Sequence, residues 1–361
     1  MTEREAMRRA LALAWRGWGR VHPNPMVGCV LLRDGEKIAE GYHAEFGGQH
    51  AEVEALRASS YAKGATMVVT LEPCNHAGKT PPCTEAIIAA GVRRVVYAVA
   101  DPDAEAKGGA ARLGAAGVDV EGGLLAADAA AQNASFLWSE MRPDRPFVAL
   151  KVATSLDGFV ADGEDRSRWI SSKAALDWVH WLRAGFDAIA VGRLTAEADD
   201  PQLTVRGAIE PRLPPTRVIL SRGAMLNPDL QVVRTAREVP TLFVTGPDIV
   251  GVVEQRLRGT GVEVVAASDL RAGLVALRAR GLRSILVEGG GRVASALLSA
   301  DLVDRVYWVQ APLFLAGGRS AFGDRAGVRL HEARRWIVTE RRALGDDTLL
   351  VVDLKLCSPA S

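Results

Sequence analysis

Residues 66–90 read TMVVTLEPCNHAGKTPPCTEAIIAA. The run Thr66–Leu71 is apolar and β-branched, as a buried strand requires. Thr84–Ala90 has helical spacing. Between them two cysteines, Cys74 and Cys83, each follow a proline. A strand that leads through such a loop into a helix is a unit of an α/β fold. Working outward, Met26–Leu32 and Lys37–His43 read as strands flanking the Asp34-Gly35 turn. His50–Ala58 has helical spacing, Arg94–Ala100 is a strand, and Val118–Glu121 is a further short strand. The first part of the chain is therefore expected to pack helices on a sheet.

The chain has 361 residues, which at about 150 residues per domain suggests two domains. Met141-Arg142-Pro143-Asp144-Arg145-Pro146 is the expected linker, because two prolines three apart stop a helix. The expected division is 1–144 and 145–361. Beyond the linker, strands are expected at Phe147–Ala153, Ala188–Val191, Arg217–Leu220, Thr241–Val244, Val262–Val265, Ser284–Val287, Arg305–Val309 and Thr348–Leu354. Helices are expected at Lys173–Arg183, Ile249–Arg258, Leu270–Arg280 and Val293–Leu298. This is a second α/β domain. Arg206–Arg217 reads as a surface loop, and Ala126–Ala131 as an alanine-rich patch of low complexity.

Composition narrows the function classes. Lys and Arg number 44 and Asp and Glu 43, a net charge of +1. Such a balance argues against non-specific binding to nucleic acid or anionic membrane. The content of 48% hydrophobic and 24% charged residues is that of a globular chain. No apolar run reaches the roughly 18 residues of a membrane span, and the start, MTEREAMRRALALAW, lacks a signal peptide's apolar core. A cytoplasmic protein is expected. Four cysteines do not make a disulfide scaffold there; Cys29, inside an apolar strand, reads as packing, and Cys357 suggests no role.

Three short segments carry chemistry: His50-Ala51-Glu52, Glu72-Pro73-Cys74 and Pro82-Cys83. One imidazole and two thiols suit Zn²⁺, and three protein ligands leave the fourth tetrahedral position to water, as in catalytic sites. Bound water becomes acidic enough to give hydroxide near neutral pH. Glu52, two residues from His50 at a helix start, is the expected proton carrier. The arrangement follows the zinc-deaminase signature H-x-E…P-C-x-x-C, except that eight residues, NHAGKTPP, separate Cys74 from Cys83. That insertion brings His76, Lys79 and Thr80 to the rim, Lys79 being a natural cation for a substrate phosphate. Two other classes share part of this pattern. A polynucleotide deaminase would need a basic or aromatic groove, whereas residues 1–144 hold 15 basic and 18 acidic side chains. A zinc-stabilised interaction protein would unfold without metal.

In the second half, Leu286-Val287-Glu288-Gly289-Gly290-Gly291 runs from a strand into a helix, a turn suited to phosphate but common in αβ folds. Ser221-Arg222 at a strand end suits the 2′-phosphate of NADPH, and equally reads as a capping serine beside a surface arginine. Lys151, Ser155-Leu156-Asp157-Gly158, Trp169-Ile170-Ser171 and the stretch 198–206 (ADDPQLTVR) complete the set. From the residues alone this is a nucleotide-binding α/β domain.

HPNPMVGCV (22–30), GYHAEFGGQHAEVEAL (41–56) and LEPCNHAGKTPPCTEAI (71–87) resemble the deaminase half of the bifunctional riboflavin biosynthesis deaminase/reductase family. SLDG, WIS, ADDPxLTVR and VEGGG occur in the order of its reductase half, so the resemblance spans nearly the whole chain. It implies a cytidine-deaminase-like three-layer domain followed by a dihydrofolate-reductase-like α/β domain. It implies zinc on His50, Cys74 and Cys83 with Glu52 as shuttle, and pyrimidine ribosyl phosphate contacts at Asn24, His43, His76 and Lys79. NADPH contacts are implied at Thr154, Trp169, Thr195, Asp199, Ser221 and Gly290, Gly291, Arg292, Val293, Ala294, Ser295 and Ala296. Substrate contacts in the second half are implied at Ser167, Arg183, Leu203, Arg206 and Glu288, with Lys151 a further candidate. The expected partners are small molecules, and the family favours a homo-oligomer. The chain departs from the family at 101–109 (DPDAEAKGG in place of DPNP-x-x-x-G-x-G), at Thr154, and at Phe159, where the family commonly has arginine. The last change makes a deaminase with an altered or inactive reductase half the alternative.

Overall fold

The computed structural model describes residues 1–76, 81–103, 106, 108–164, 166, 170–207, 209–323 and 329–354. The chain forms two compact units: Met1–Met141 with Pro211–Leu213, and Arg142–Glu210 with Pro214–Ser361.

The first unit contains α1 (Glu3–Ala14), β1 (Gly28–Arg33), β2 (Glu36–Tyr42), α2 (Ala51–Ala58), β3 (Thr66–Leu71), α3 (Cys83–Ala89), β4 (Arg94–Val99), α4 (Gly109–Ala115), β5 (Asp119–Gly122), α5 (Ala126–Gln132) and α6 (Ala134–Met141). Its sheet runs β2-β1-β3-β4-β5, with β1 antiparallel to β2 and β3, and β3, β4 and β5 parallel. Alternate residues of a strand face opposite ways. Cys29 and Leu31 of β1 and Met67 and Val69 of β3 accordingly meet Ala51, Ala55, Cys83 and Ile87 of α2 and α3. Val30, Leu32 and Val68 face the other way, onto Ala6, Met7, Ala10 and Leu13 of α1 and Ala129 of α5. The result is the expected three layers. Strand β1 starts two residues later than its apolar run, because the Met26 backbone is taken by the Asn133 side chain. The alanine-rich patch is α5, with Ala129 in the core.

The second unit contains β6 (Phe147–Thr154), β7 (Phe159–Ala161), α7 (Lys173–Arg183), β8 (Ala188–Gly192), α8 (Arg193–Asp199), β9 (Thr216–Leu220), α9 (Gln231–Arg234), β10 (Thr241–Thr245), α10 (Val250–Arg256), β11 (Glu263–Ala266), α11 (Leu270–Ala279), β12 (Ser284–Glu288), α12 (Gly291–Ser299), β13 (Arg305–Gln310), β14 (Arg319–Ser320), β15 (Ile337–Leu344) and β16 (Asp347–Asp353). Its main sheet runs β11-β10-β9-β8-β12-β6-β13-β16-β15. The strands from β11 to β13 are parallel, and β16 and β15 add an antiparallel edge. Both faces are covered. Ala188 and Ala190 of β8 join a core with α11 and α12, whereas Ile189 and Val191 join one with α8, α9 and α10. In such sheets ligands bind at the carboxyl ends of the strands, where the strand order reverses. That edge carries the end of β6, the β8–α8 turn, the end of β9 and the β12–α12 turn.

Two buried ion pairs tie the second unit together. Arg145, from the expected linker, grips Asp304 at 2.6 Å through each of two nitrogens, and Asp304 also accepts from the Val148 N–H at 2.8 Å. Arg305 holds Asp353 across β13 and β16 at 2.6 and 2.8 Å. Removing one partner of such a pair leaves a charge buried alone. Asp304→Ala is therefore expected to cost about 3–5 kcal/mol, read as a lower urea midpoint for the second unit.

Candidate functional site

His50 caps the start of α2, Cys83 opens α3, and Cys74 lies in the loop after β3. The sheet and two helices of the first unit thus deliver one ligand each. The His50 Nδ1 is 3.2 Å from the Cys83 Sγ and 3.5 Å from the Cys74 Sγ, and all three donor atoms lie within 4.8 Å of one another. Tetrahedral zinc with Zn–S near 2.3 Å and Zn–N near 2.0–2.1 Å needs separations of about 3.5–3.8 Å. The donor set fits zinc in chemistry and in spacing. Among the described residues no fourth metal-binding side chain joins the group.

The electrostatics agree. A hydrogen bond from the Cys83 thiol, joined by His50, draws the Cys74 thiol well below its ordinary range. The same contact with Cys74, followed by burial, pushes the Cys83 thiol up. Glu52, in the first turn of α2, is 4% exposed. Burial lifts its carboxyl above the usual range, against the pull of His50. A buried carboxyl beside the ligand set suits proton transfer.

A cavity of about 260 Å³ opens onto these groups. Its lining includes three residues that the resemblance assigned to substrate: Asn24, His43 and His76. The His43 Nδ1 is 2.9 Å from the Gln49 carbonyl, so it donates there, and the Asn24 amide donates to its Nε2 at 3.3 Å. Burial holds His43 below the ordinary histidine range, which keeps the ring a neutral acceptor. The His76 Nδ1 is buried without a protein partner among the described residues. Lys79 lies outside the described residues.

The lining also holds residues that sequence reasoning missed. Glu72 accepts from the backbone N–H groups of Ala110 at 2.9 Å and Asp101 at 3.2 Å, which fastens those two residues to the loop that carries Cys74. Asp101 and Asp103 line the cavity, so the segment that departs from the family pattern still reaches the site. Burial raises the Asp101 carboxyl to about 6. Glu72 stands two residues before a ligand, a signal that was available. Phe46 and Phe136 also line the cavity, and neither carries any signal beyond an isolated aromatic.

The second group of expected residues gathers at the carboxyl edge of the second unit's sheet. Glu288 ends β12 and accepts two bonds of 2.7 Å from Arg183 at the end of α7. Arg183 also donates to the Thr204 carbonyl at 2.9 Å. Lys151 stands beside Glu288 in the β6–β12 register. Burial, only partly offset by Glu288, lowers its pKa below the ordinary lysine value. Burial would raise Glu288, but Arg183 and Lys151 outweigh it and hold the carboxylate ionised. Arg206 is exposed nearby in sequence.

The expected cofactor residues follow the same edge. Thr195, in α8, faces the β12–α12 turn: a Cβ on Gly290, whose φ is +81°, would lie 2.9 Å from its hydroxyl. Gly290 caps α12, and Gly291 through Ala296 form that helix's first two turns. Within them Ala294 is core and the Ser295 hydroxyl donates to the Phe322 carbonyl. Ser221 bonds the Ala224 carbonyl of its own turn at 3.3 Å. Thr154 is fully buried and accepts from the Trp308 indole at 2.9 Å. Asp199 ends α8. Leu203 is buried, with a left-handed backbone. Ser167 and Trp169 lie outside the described residues. At Phe159 it is the backbone, not the side chain, that closes the turn with Ser155. Arg183→Ala would leave Glu288 buried beside Lys151 alone. We expect a drop in reductase kcat/KM of at least about 10²-fold, the scale of a lost buried charge pair, with ammonia release unchanged.

Comparison with known proteins places both halves. Residues 1–99 match the cytidine and deoxycytidylate deaminase zinc-binding region, and residues 146–350 match the RibD C-terminal domain. Riboflavin biosynthesis protein RibD of Escherichia coli (strain K12) is 39% identical over 365 residues, 97% of this chain and 99% of that protein. That of Aquifex aeolicus is 36% identical over 355 residues, 96% of this chain and 97% of the relative. Among solved structures, Acinetobacter baumannii RibD has a TM-score of 0.83 at 35% identity, covering 98% of this chain and 99% of its own. A diaminohydroxyphosphoribosylaminopyrimidine deaminase/5-amino-6-(5-phosphoribosylamino)uracil reductase from Thermotoga maritima has a TM-score of 0.82 at 33% identity, with the same coverage.

Proposed function

The chain belongs to the RibD family of riboflavin biosynthesis proteins, and from that premise we propose how its residues divide the work. It is a bifunctional enzyme with a zinc-dependent deaminase domain and an NADPH-dependent reductase domain. The first activity hydrolyses the 2-amino group of 2,5-diamino-6-(5-phosphoribosylamino)pyrimidin-4(3H)-one. The second reduces the ribosyl group of 5-amino-6-(5-phosphoribosylamino)uracil to ribityl.

We assign deamination to residues 1–144 and reduction to 145–361, a division supported by the break between the two units at Met141–Arg142, Pro211–Leu213 apart. The observation that carries the first assignment is the convergence of His50, Cys74 and Cys83 beside the buried Glu52. Zinc bound there supplies an acidified water. Glu52 takes a proton at its carboxylate, returns it to the ring nitrogen, and helps ammonia leave. His43 and Asn24 orient the pyrimidine edge, and His76 with Lys79 holds the phosphate. In the reductase, Arg183 keeps Glu288 ionised and fixed, Lys151 and Arg206 face the sugar phosphate with Ser167 and Leu203, and α12 with Thr195, Asp199 and Ser221 holds NADPH. Following ammonia release and NADPH oxidation together, with and without a chelator, tests the scheme. Chelation should stop the first and spare the second on pre-deaminated substrate.

No helix among the described residues is long and apolar enough to cross a membrane. A cytoplasmic homo-oligomer is our reading. The edge strand β15, which exposes Ile337 and Val338, supports a second copy. A monomer mass by light scattering at micromolar concentration would overturn that part.

A further inference from the structure

We propose that Phe136 is a substrate-binding wall of the deaminase cavity, offering its ring to the flat face of the pyrimidine. The proposal rests on the deaminase reading above. The zinc-binding region shared with cytidine and deoxycytidylate deaminases ends at residue 99, and α6 lies wholly beyond it. The metal ligands and Glu52 thus lie inside the matched region, and Phe136 lies outside it.

Asn133, between α5 and α6 and 4% exposed, brings α6 to the cavity. Its Oδ1 accepts from the Met26 N–H and its Nδ2 donates to the Met26 carbonyl, both at 2.9 Å. Met26 sits in the segment whose Asn24, Pro25 and Val27 line the cavity. The amide therefore ties α6 to that wall. One helical turn on, Phe136 reaches the lining while its neighbours Leu137 and Trp138 are buried.

The chemistry of the lining assigns the ring its part. A pyrimidine is polar at its rim and apolar on its faces. Carboxylates, imidazoles and the Asn24 amide serve the rim. Two phenyl rings can serve a face, Phe46 and Phe136. Phe46 already has the Arg212 guanidinium 4.8 Å over its ring. Among the described residues no cation sits over Phe136. Stacking of a base on an aromatic ring is tolerant of polar pattern and sensitive to loss of the ring.

The test is ammonia release by the full-length, zinc-loaded protein on the diaminopyrimidinone ribosyl phosphate, comparing wild type with Phe136→Ala, Phe136→Leu and Phe136→Tyr. Phe136→Ala should raise KM about 10-fold with kcat within about 3-fold, and leave zinc content and NADPH oxidation on pre-deaminated substrate unchanged. Phe136→Tyr should restore KM; Phe136→Leu, which keeps bulk without a π face, should not. An unchanged KM in Phe136→Ala overturns the proposal, as does a Phe136→Leu protein equal to wild type. Should Phe136→Ala lose zinc or unfold, equal KM values for the leucine and tyrosine proteins overturn it instead. A wild-type protein that releases no ammonia sinks the deaminase reading itself, a result separate from any of these.

Discussion

Replacing Glu52 with alanine is expected to cut ammonia release by at least about 10²-fold, the scale of a positioned acid–base group, and to leave zinc in place. The side chain is buried in the first turn of α2, two residues from His50 and outside the ligand set. The apolar residues of the first unit's two cores are untouched by the change. Reduction of pre-deaminated substrate should continue at the wild-type rate. The check is a pair of assays on one preparation, with zinc measured on the same sample. Ammonia release near the wild-type rate would remove Glu52 from the mechanism.

Stripping the metal has the other large effect. Without zinc, deamination should fall by at least about 10³-fold, since a bound metal supplies several kcal/mol of activation. The two cysteine ligands are a small part of a core that also contains Leu31, Met67, Val69, Ile87 and Leu113. The first unit should therefore stay folded when stripped, with circular dichroism unchanged and activity restored by added zinc. Unfolding on chelation would instead mark a structural metal.

Much of this was legible in the residues. Strands β3, β6, β8, β9 and β12 fall within two residues of their apolar runs, because a buried parallel strand must be apolar throughout. The metal triad and Glu52 were readable because soft ligands are rare and clustered. Strand β15 was not, since IVTERRAL at an exposed edge keeps no alternation. Helices α5 and α6 were hidden because both are short: α5 is alanine-rich, α6 buries only a few residues, and the Asn133 amide between them fixes their place. The walls of the cavity share that difficulty. Phe136 comes from a segment more than thirty residues beyond Asp101 and Asp103, and only the fold makes neighbours of them.

Among the described residues no sheet mixes strands from the two units: β1–β5 form one sheet, and β6–β16 form the nine-stranded sheet and the small β7–β14 pair. Both catalysts therefore leave the ribosome in equal number, whatever the level of expression. A cell holding this protein cannot make more of one than of the other, so any build-up of the deaminated intermediate must come from unequal turnover rates and never from unequal supply.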